Sequence, residues 1–412
     1  MASYLLAAAS PPGAPVWAVQ PLPLDAGPTA VLAAGAAGEL RLLAPLPSGS
    51  AACLAAHAHS SNGASSSNGD TGSSSSSSAG SGIGVFAVAV AGERVLSVAA
   101  DGSVALWQLD LAAVAQAAER AAALEAQPES AESASPSSSD APTLLRALAA
   151  VPTLAPHLEA HVVALHPTQP LLAAVGAGPR VALCSAAPED FGTLQRMCDA
   201  PDAQAGASRG GKGASTEMAT CVAFSPSGEL LASGTSTGLL LVHAVASGRL
   251  LATFADHALP IRSLSFSAPH VGAERDHLHV CSEDRTLTIH DVRSLERSAA
   301  SAAAAQDAAP AEAAGIAAGA TVACLRHPGW VTGASAGPLL ATSSTDGALR
   351  LYDTRAGRTC VATLREGPRI WACVWTPPLA GLPPSTAMLV SGSESGEVRW
   401  YRAAGTGLGA AD

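Results

Sequence analysis

Seven copies of one short pattern limit what this 412-residue chain can fold into more than any other feature. Each copy runs from an apolar stretch through small residues into a tight turn, then into a second stretch that usually ends in a ring side chain. The clearest are Val95–Trp107 around Asp101, Leu340–Asp353 around Asp346, Val280–Asp291 around Asp284 and Leu389–Trp400 around Ser395. Weaker copies place their turns at Ala37, Gly178 and Thr237. Ahead of each lies a further short apolar stretch, such as Cys221–Phe224 or Ile261–Phe266. The period within stretches is two and the links are Gly, Pro and Ser turns, so the stretches read as β-strands. Such units bury their faces only by stacking on their neighbours.

Composition narrows the class. Charged residues are 13% and glycine follows no fixed period, which excludes a coiled coil and a collagen. No run of about 18 strongly apolar residues appears, so no membrane-spanning helix is expected. The net charge is −11, and of 22 basic residues only Lys212 is a lysine. Dense phosphate contacts need a basic stripe, so direct nucleic-acid binding is not expected. Met1–Ser10 lacks basic residues and the first arginine is Arg41, which points to neither a secretory nor an organellar leader. The eight cysteines (53, 184, 198, 221, 281, 324, 360, 373) form no CxxC, and several sit in apolar runs. They read as reduced thiols serving as small apolar residues, in a cytosolic or nuclear protein.

The repeats resemble the WD-repeat family, whose unit is a four-stranded propeller blade of about 40–45 residues. The resemblance implies a single all-β, seven-bladed β-propeller over residues 1–412. Low-complexity insertions fall at 60–81, 111–141, 199–215, 298–320 and 376–387, with a short helical pattern at Ala112–Ala126. Tracts of small and polar residues bury too little surface to offset ordering entropy, so these are expected to be disordered. The apolar stretch Ser3–Ala8 is placed to close the ring beside Val398–Arg402.

A narrower resemblance covers all seven repeats, strongly from Thr220 to Arg402 and weakly before Leu171. Asp256–Phe266 is similar to the blade-junction signature of the small WD-repeat subunits shared by the superkiller (Ski) RNA-decay complex and the polymerase-associated factor (Paf) transcription complex. The plant counterpart of these subunits is known from vernalization mutants. Phe224–Gly234, Ser247–Phe254, Trp330-Val331, Arg358–Thr363 and Ile370-Trp371 match as well, while the insertions depart from that pattern. The resemblance implies a non-enzymatic scaffold without cofactor, in nucleus and cytoplasm. Its partners would be a tetratricopeptide scaffold and a helicase in a Ski-type complex, and Paf-type subunits. The processes would be 3′–5′ mRNA decay with the exosome, and RNA polymerase II elongation with histone modification. No membrane or small-molecule substrate is implied. The alternative is a substrate receptor of a cullin-type ubiquitin ligase, because Ala341–Arg355 resembles the docking box of such receptors, with Tyr352 where tryptophan is usual.

In a WD-repeat blade a turn Asp pairs with a His of the preceding loop, and a strand Ser or Thr joins them. The sets predicted here are His257/Ser282/Asp284 and His327/Ser344/Asp346, with His57 or His59 serving Asp101. Four turns, at Ala37, Gly178, Thr237 and Ser395, lack the Asp. These pairs read as turn fixation rather than acid–base catalysis. Gly206–Gly213 fits a phosphate loop except that Gly213 replaces the Ser/Thr, so it reads as a flexible loop. His157, His161 and His166 lie around a strand start, where i,i+4 spacing does not converge on a metal. His277 and His279 share one strand face without a third ligand.

Aligning the innermost strands on Ile261–Phe266 puts Trp17, Phe86, His161, Thr220, Arg262, Thr332 and Trp371 at one register. Trp330 and Arg369 stand two residues ahead of Thr332 and Trp371. The WD-repeat resemblance places this register near the upper mouth of the channel. Trp and Arg bring large area and a planar donor fork, so Trp17, Phe86, His161, Arg262, Trp330, Thr332, Arg369 and Trp371 are the predicted partner-binding residues.

Overall fold

The computed structural model describes residues 4–24, 29–59, 84–126, 144–154, 160–176, 178–198, 217–267, 277–304, 320–354, 357–378 and 386–403. They form seven four-stranded antiparallel sheets, the blades of a β-propeller. Blade 1 holds Val16–Pro21, Val31–Gly35, Glu39–Pro45 and Ala51–Ala58, from the innermost strand outwards. The innermost strands of blades 2 to 7 are Val85–Ala91, Val162–Leu165, Ala219–Phe224, Ile261–Phe266, Val331–Ala336 and Ile370–Trp375. Each innermost strand packs on the next, and blade 7 packs back on blade 1.

Blade 7 takes its outermost strand from the other end of the chain. Tyr4–Ala9 pairs antiparallel with Val398–Ala403. Ser10 reinforces the join, donating its N–H to the Val398 carbonyl and accepting the Val398 N–H on its hydroxyl, each at 2.9 Å. The apolar N-terminal stretch therefore does close the ring.

The core is divided into seven clusters, one at each seam between adjacent blades. Each sheet is covered on both faces, so its second strand is buried on both sides instead of alternating between buried and exposed. Val31–Gly35, Leu171–Val175 and Leu230–Thr235 are buried at every position. Five cysteines are buried within the blades, and burial holds the Cys221 and Cys373 thiols up at about 12. Cys53, Cys324 and Cys360 depart from the apolar reading, because they are exposed on outermost strands.

Two helices lie within insertions expected to be disordered, the first on the helical pattern read at Ala112–Ala126 and the second a correction. Helix α1, Leu111–Ala126, starts where Asp110 accepts the Ala113 N–H on its side chain at 2.9 Å. Its alanines favour helix, and Val114 and Ala118, one turn apart, are buried at the seam of blades 1 and 2. Helix α2, Arg293–Ala304, buries Leu295 and Ala299 at the seam of blades 4 and 5. At the last insertion, Thr376 and Met388 pair across its base, and Ala387 is buried. Two fully or nearly hydrocarbon faces against a preformed seam outweigh a composition that by itself predicts a coil. The rest of the insertions, 60–81, 127–141, 199–215, 305–319 and 379–385, lies outside the described residues. No described helix is long and apolar enough to cross a membrane.

Deleting Met1–Ala9 should strip blade 7 of its edge partner and uncover Val390 and Trp400, which pack with Ala8. The expected outcome is a lower melting temperature with aggregation, measured by scanning calorimetry and light scattering. An unchanged melt would show that another segment closes the ring.

Candidate partner-binding face

Antiparallel order fixes what lies on each side of the disc. In every blade the innermost strand begins, the second ends and the third begins on one side, here termed the upper face. The seven repeat turns are therefore all there, with the loops that lead into the innermost strands. One hydrogen bond recurs between them. The residue after the second strand donates its N–H to the loop carbonyl just before the innermost strand: Ala36 to Pro15, Ala100 to Gly84, Ser236 to Met218, Glu283 to Pro260, Thr345 to Trp330 and Glu394 to Arg369, at 2.8–3.0 Å.

The polar networks behind the turns differ from the predicted sets in their wiring. In blade 5, His257 Nδ1 meets Asp284 Oδ2 at 2.9 Å as expected. Its Nε2 meets Thr288, not Ser282, and Thr288 also meets His290, each at 2.9 Å. Ser282 instead accepts the Asp284 N–H and donates to loop carbonyls. Burial pushes Asp284 up, but bonds from Thr286 and His257 outweigh it and hold the carboxyl below the usual range. Burial holds His290 down at about 4, against the pull of Asp256.

Blade 6 requires a larger correction. Asp346 does not pair with His327; it holds the guanidinium of Arg350, four residues along the strand. His327 Nε2 meets Thr342 at 2.9 Å and the Tyr352 hydroxyl at 3.3 Å. Thr342 thus takes the place predicted for Ser344. The buried Ser344 hydroxyl instead accepts the Asp346 N–H at 3.3 Å, as Ser282 does for Asp284. The reason is local: a serine two residues ahead of a turn residue lies within reach of that residue's N–H. Burial and the Arg350 charge keep His327 down at about 4. A fixed cation beside the carboxylate satisfies Asp346 better than a neutral imidazole. In blade 2 the partner of the turn is His59, not His57. His59 bridges Ser97 at 2.8 Å and Ser103 at 3.0 Å, and Ser103 donates to Asp101. Ser97 supplies the strand hydroxyl of this set, since Ala99, which stands at the register of Ser282 and Ser344, has none; Ser97 also accepts from Trp107 at 2.8 Å. His257 and His327 are 2% and 6% exposed, and the nitrogens named here point into the blades.

Two turns without Asp have substitutes. In blade 4, Thr237 donates to Glu217 at 2.6 Å. In blade 7 the acid has moved from the turn to the loop. Glu366 stands four residues ahead of its innermost strand, where His257 and His327 stand ahead of theirs. It accepts from Ser391 and, at 2.9 Å, from Tyr401, with Arg399 at 3.7 Å. Register makes Ser391, Arg399 and Tyr401 the counterparts of Thr342, Arg350 and Tyr352. Sequence reasoning missed Glu366 because it searched for the residue type and not for the offset.

The predicted partner residues share a structural cause. In six innermost strands the pairing register shifts at the second residue, making Trp17, Phe86, Thr220, Arg262, Thr332 and Trp371 bulge residues. A bulge re-aims its side chain out of the ladder. His161 sits just ahead of Val162 in blade 3 and is half-buried. The bulge residues serve three different ends. Thr220 and Thr332 donate to the next blade's first carbonyl, at Ile261 and, at 2.7 Å, Ile370, so their hydroxyls staple seams. Trp17 stacks on Phe86 with ring centres 5.1 Å apart, and Gly84 leaves room for the Trp17 ring. Phe86 and Trp330 remain 44% and 41% exposed, while Trp371 is half-buried. Arg262 pairs with Glu283, and Arg369 with Glu394 at 3.5 Å.

Other motifs resolve away from chemistry. His166 is buried, its Nδ1 accepting the Gln169 N–H at 2.9 Å and its Nε2 facing the Gly228 carbonyl at 3.1 Å. His279 Nδ1 bonds the Ser265 carbonyl. His157 and Gly206–Gly213 lie outside the described residues. Among the described residues no group of three or more His, Cys, Asp or Glu side chains is placed to hold a metal. On the lower face a cavity of about 500 Å³ opens between blades 3 and 4, and Arg196 reaches from it to the Val245 and Ala246 carbonyls.

Comparison with known proteins agrees with this architecture. The family model "WD domain, G-beta repeat" matches residues 212–242, which include the first two strands of blade 4 and the start of the third. The crystal structure of the Myceliophteria thermophila Cps50 (Swd1) β-propeller domain is similar, with a TM-score of 0.60. The likeness covers 97% of this chain and 99% of that one at 12% identity. No curated protein matches. The fold is a seven-bladed β-propeller of the WD-repeat kind, and at this identity the likeness speaks to fold alone.

Burial, the largest influence, holds the Glu366 carboxyl above the ordinary range, although Ser391, Tyr401 and Arg399 pull it down. A group with a raised folded pKa contributes stability below its unfolded pKa and loses it as pH rises through the folded value. Glu366→Gln keeps an acceptor for both hydroxyls and removes the titration. Its melting temperature relative to the parent should therefore climb as pH rises above the ordinary glutamate range. A difference that stays flat as pH rises would show that Arg399 keeps the carboxylate charged without cost.

Proposed function

We propose that the chain is a non-enzymatic scaffold whose upper face binds segments of other proteins. The observation that carries this reading is the rigid placement of Phe86, Arg262, Trp330 and Arg369, exposed on a face braced by repeated turn-to-loop hydrogen bonds. Rigid aromatic and arginine side chains lose little entropy on binding and supply most hot-spot energy. The resemblance at Asp256–Phe266 and the matching stretches support assembly into Ski-type and Paf-type complexes, in cytoplasm and nucleus. Competition from the ubiquitin-ligase reading is weakened by Asp346, Arg350 and Tyr352, which are committed inside blade 6.

Affinity purification from extract followed by mass spectrometry tests the assembly. Recovery of a tetratricopeptide subunit and a helicase is the expected result, and recovery of a cullin adaptor instead would favour the receptor. Trp330→Ala and Arg262→Ala should each weaken capture by about 2 kcal/mol with melting unchanged. Normal capture by both variants would move the site off this face.

A further inference from the structure

The charges on blades 5 to 7 of the upper face do not balance partner for partner. Glu283 holds Arg262, Glu394 holds Arg369 and Asp346 holds Arg350. Asp284 holds His257, Asp256 takes the Thr321 hydroxyl near His290, Glu397 holds Arg399, and Glu366 is closed in by Ser391, Tyr401 and Arg399. Every one of these carboxylates has a partner within the protein. Three exposed arginines do not: among the described residues no carboxylate lies within ion-pairing reach of Arg285, Arg326 or Arg365. Arg326 and Arg365 end the outermost strands of blades 5 and 6 on the upper side, and Arg326 pairs across to Thr286, beside Arg285.

Backbone geometry marks Arg285 independently. It occupies the turn at φ 69°, a region that side chains with a Cβ avoid. Five other blades put glycine at this turn position, Gly38, Gly102, Gly238, Gly347 and Gly396, each at φ between 73° and 86°. An arginine in this place carries a conformational cost that glycine would not, and among the described residues no carboxylate receives its charge.

From these two observations we infer that the upper face of blades 5 to 7 is an acidic-peptide site. Its ligand is an extended segment in which aspartate or glutamate alternates with apolar residues. Arg285, Arg326 and Arg365 take the carboxylates. Trp330 and Leu259, exposed at the seams of the same sector, take the apolar side chains. The loops here are short and stitched to their turns, so the site is preformed. The inference deepens the protein-binding reading of this face and rests on it.

The test is a fluorescence anisotropy titration of the full chain with three labelled extended peptides. In these, leucine alternates with glutamate, glutamine or lysine. Arg285→Gly should melt at or above the parent temperature and bind the glutamate peptide more weakly. Arg285→Gln/Arg326→Gln/Arg365→Gln and Trp330→Ala should each weaken it about tenfold or more, and added salt should weaken it in the parent. Equal binding of all three peptides, lost in Trp330→Ala, would overturn the acidic preference and leave the protein-binding face standing. A glutamate peptide whose binding neither set of variants changes, or no binding at all, would also overturn the inference. So would an oligonucleotide that binds with the same arginine dependence and no need of Trp330. If Arg285→Gly destabilises the fold, the turn arginine is structural and the geometric argument fails.

Discussion

Everything on the upper face depends on each blade being covered on both sides by its neighbours. A four-stranded sheet of this kind cannot stand alone, because its second and third strands are buried almost throughout on both faces. Seven seams supply the cover, and the ring has no free face only if the last blade meets the first. That meeting is made by Tyr4–Ala9 on Val398–Ala403, two stretches from opposite ends of the chain. Val16 and Val19 of blade 1 then pack with Val390, Val398 and Trp400 of blade 7 in one cluster. Closure and core formation are thus one event, and the loops gain fixed positions from it.

Within that frame several turns are held by carboxylates, and the blades that do so use different partners. Blade 5 uses an imidazole, blade 6 a guanidinium, and blade 7 moves the acid into the loop and binds it with two hydroxyls. What is kept is the position, not the residue type. A buried polar group must find a partner, and several chemistries satisfy it at one location. The imidazoles of His290 and His327, held at about 4 by burial, are correspondingly neutral structural elements.

Because the carboxylates are consumed in holding turns, the arginines left over are available to other molecules. The face can therefore present cationic and aromatic side chains on a chain whose net charge is −11. Bulges at the start of the innermost strands aim residues at solvent or at the adjacent blade. Whether a bulge residue is a staple or a surface is settled by its chemistry. Thr220 and Thr332 reach a carbonyl and turn inward, while Arg262 and Phe86 are too long or too apolar to do so.

The seven turns, the strand character and the closing stretch were legible in the chain itself, since period, glycine placement and apolar runs are local properties. Counting along equivalent strands also brought six of the seven aligned residues to one bulge position, with His161 of blade 3, ahead of its strand, the exception. The partners of the turn residues were not legible. Asp346 has Arg350 four residues on, in the strand that follows the turn, yet its expected partner was a histidine in the preceding loop. Ser344 was expected to join that histidine and caps the turn backbone instead, leaving the imidazole to Thr342. Helix α1 was legible as the pattern at Ala112–Ala126, but α2 was hidden, because its alanine-rich stretch gains its order from a seam built by residues distant in sequence. The sequence by itself determined that the chain is built of seven repeating β units joined at its ends. Only the tertiary structure decided which polar groups pair and which arginines are left unpaired, because hydrogen bonding depends on distances of a few ångströms that periodicity does not specify.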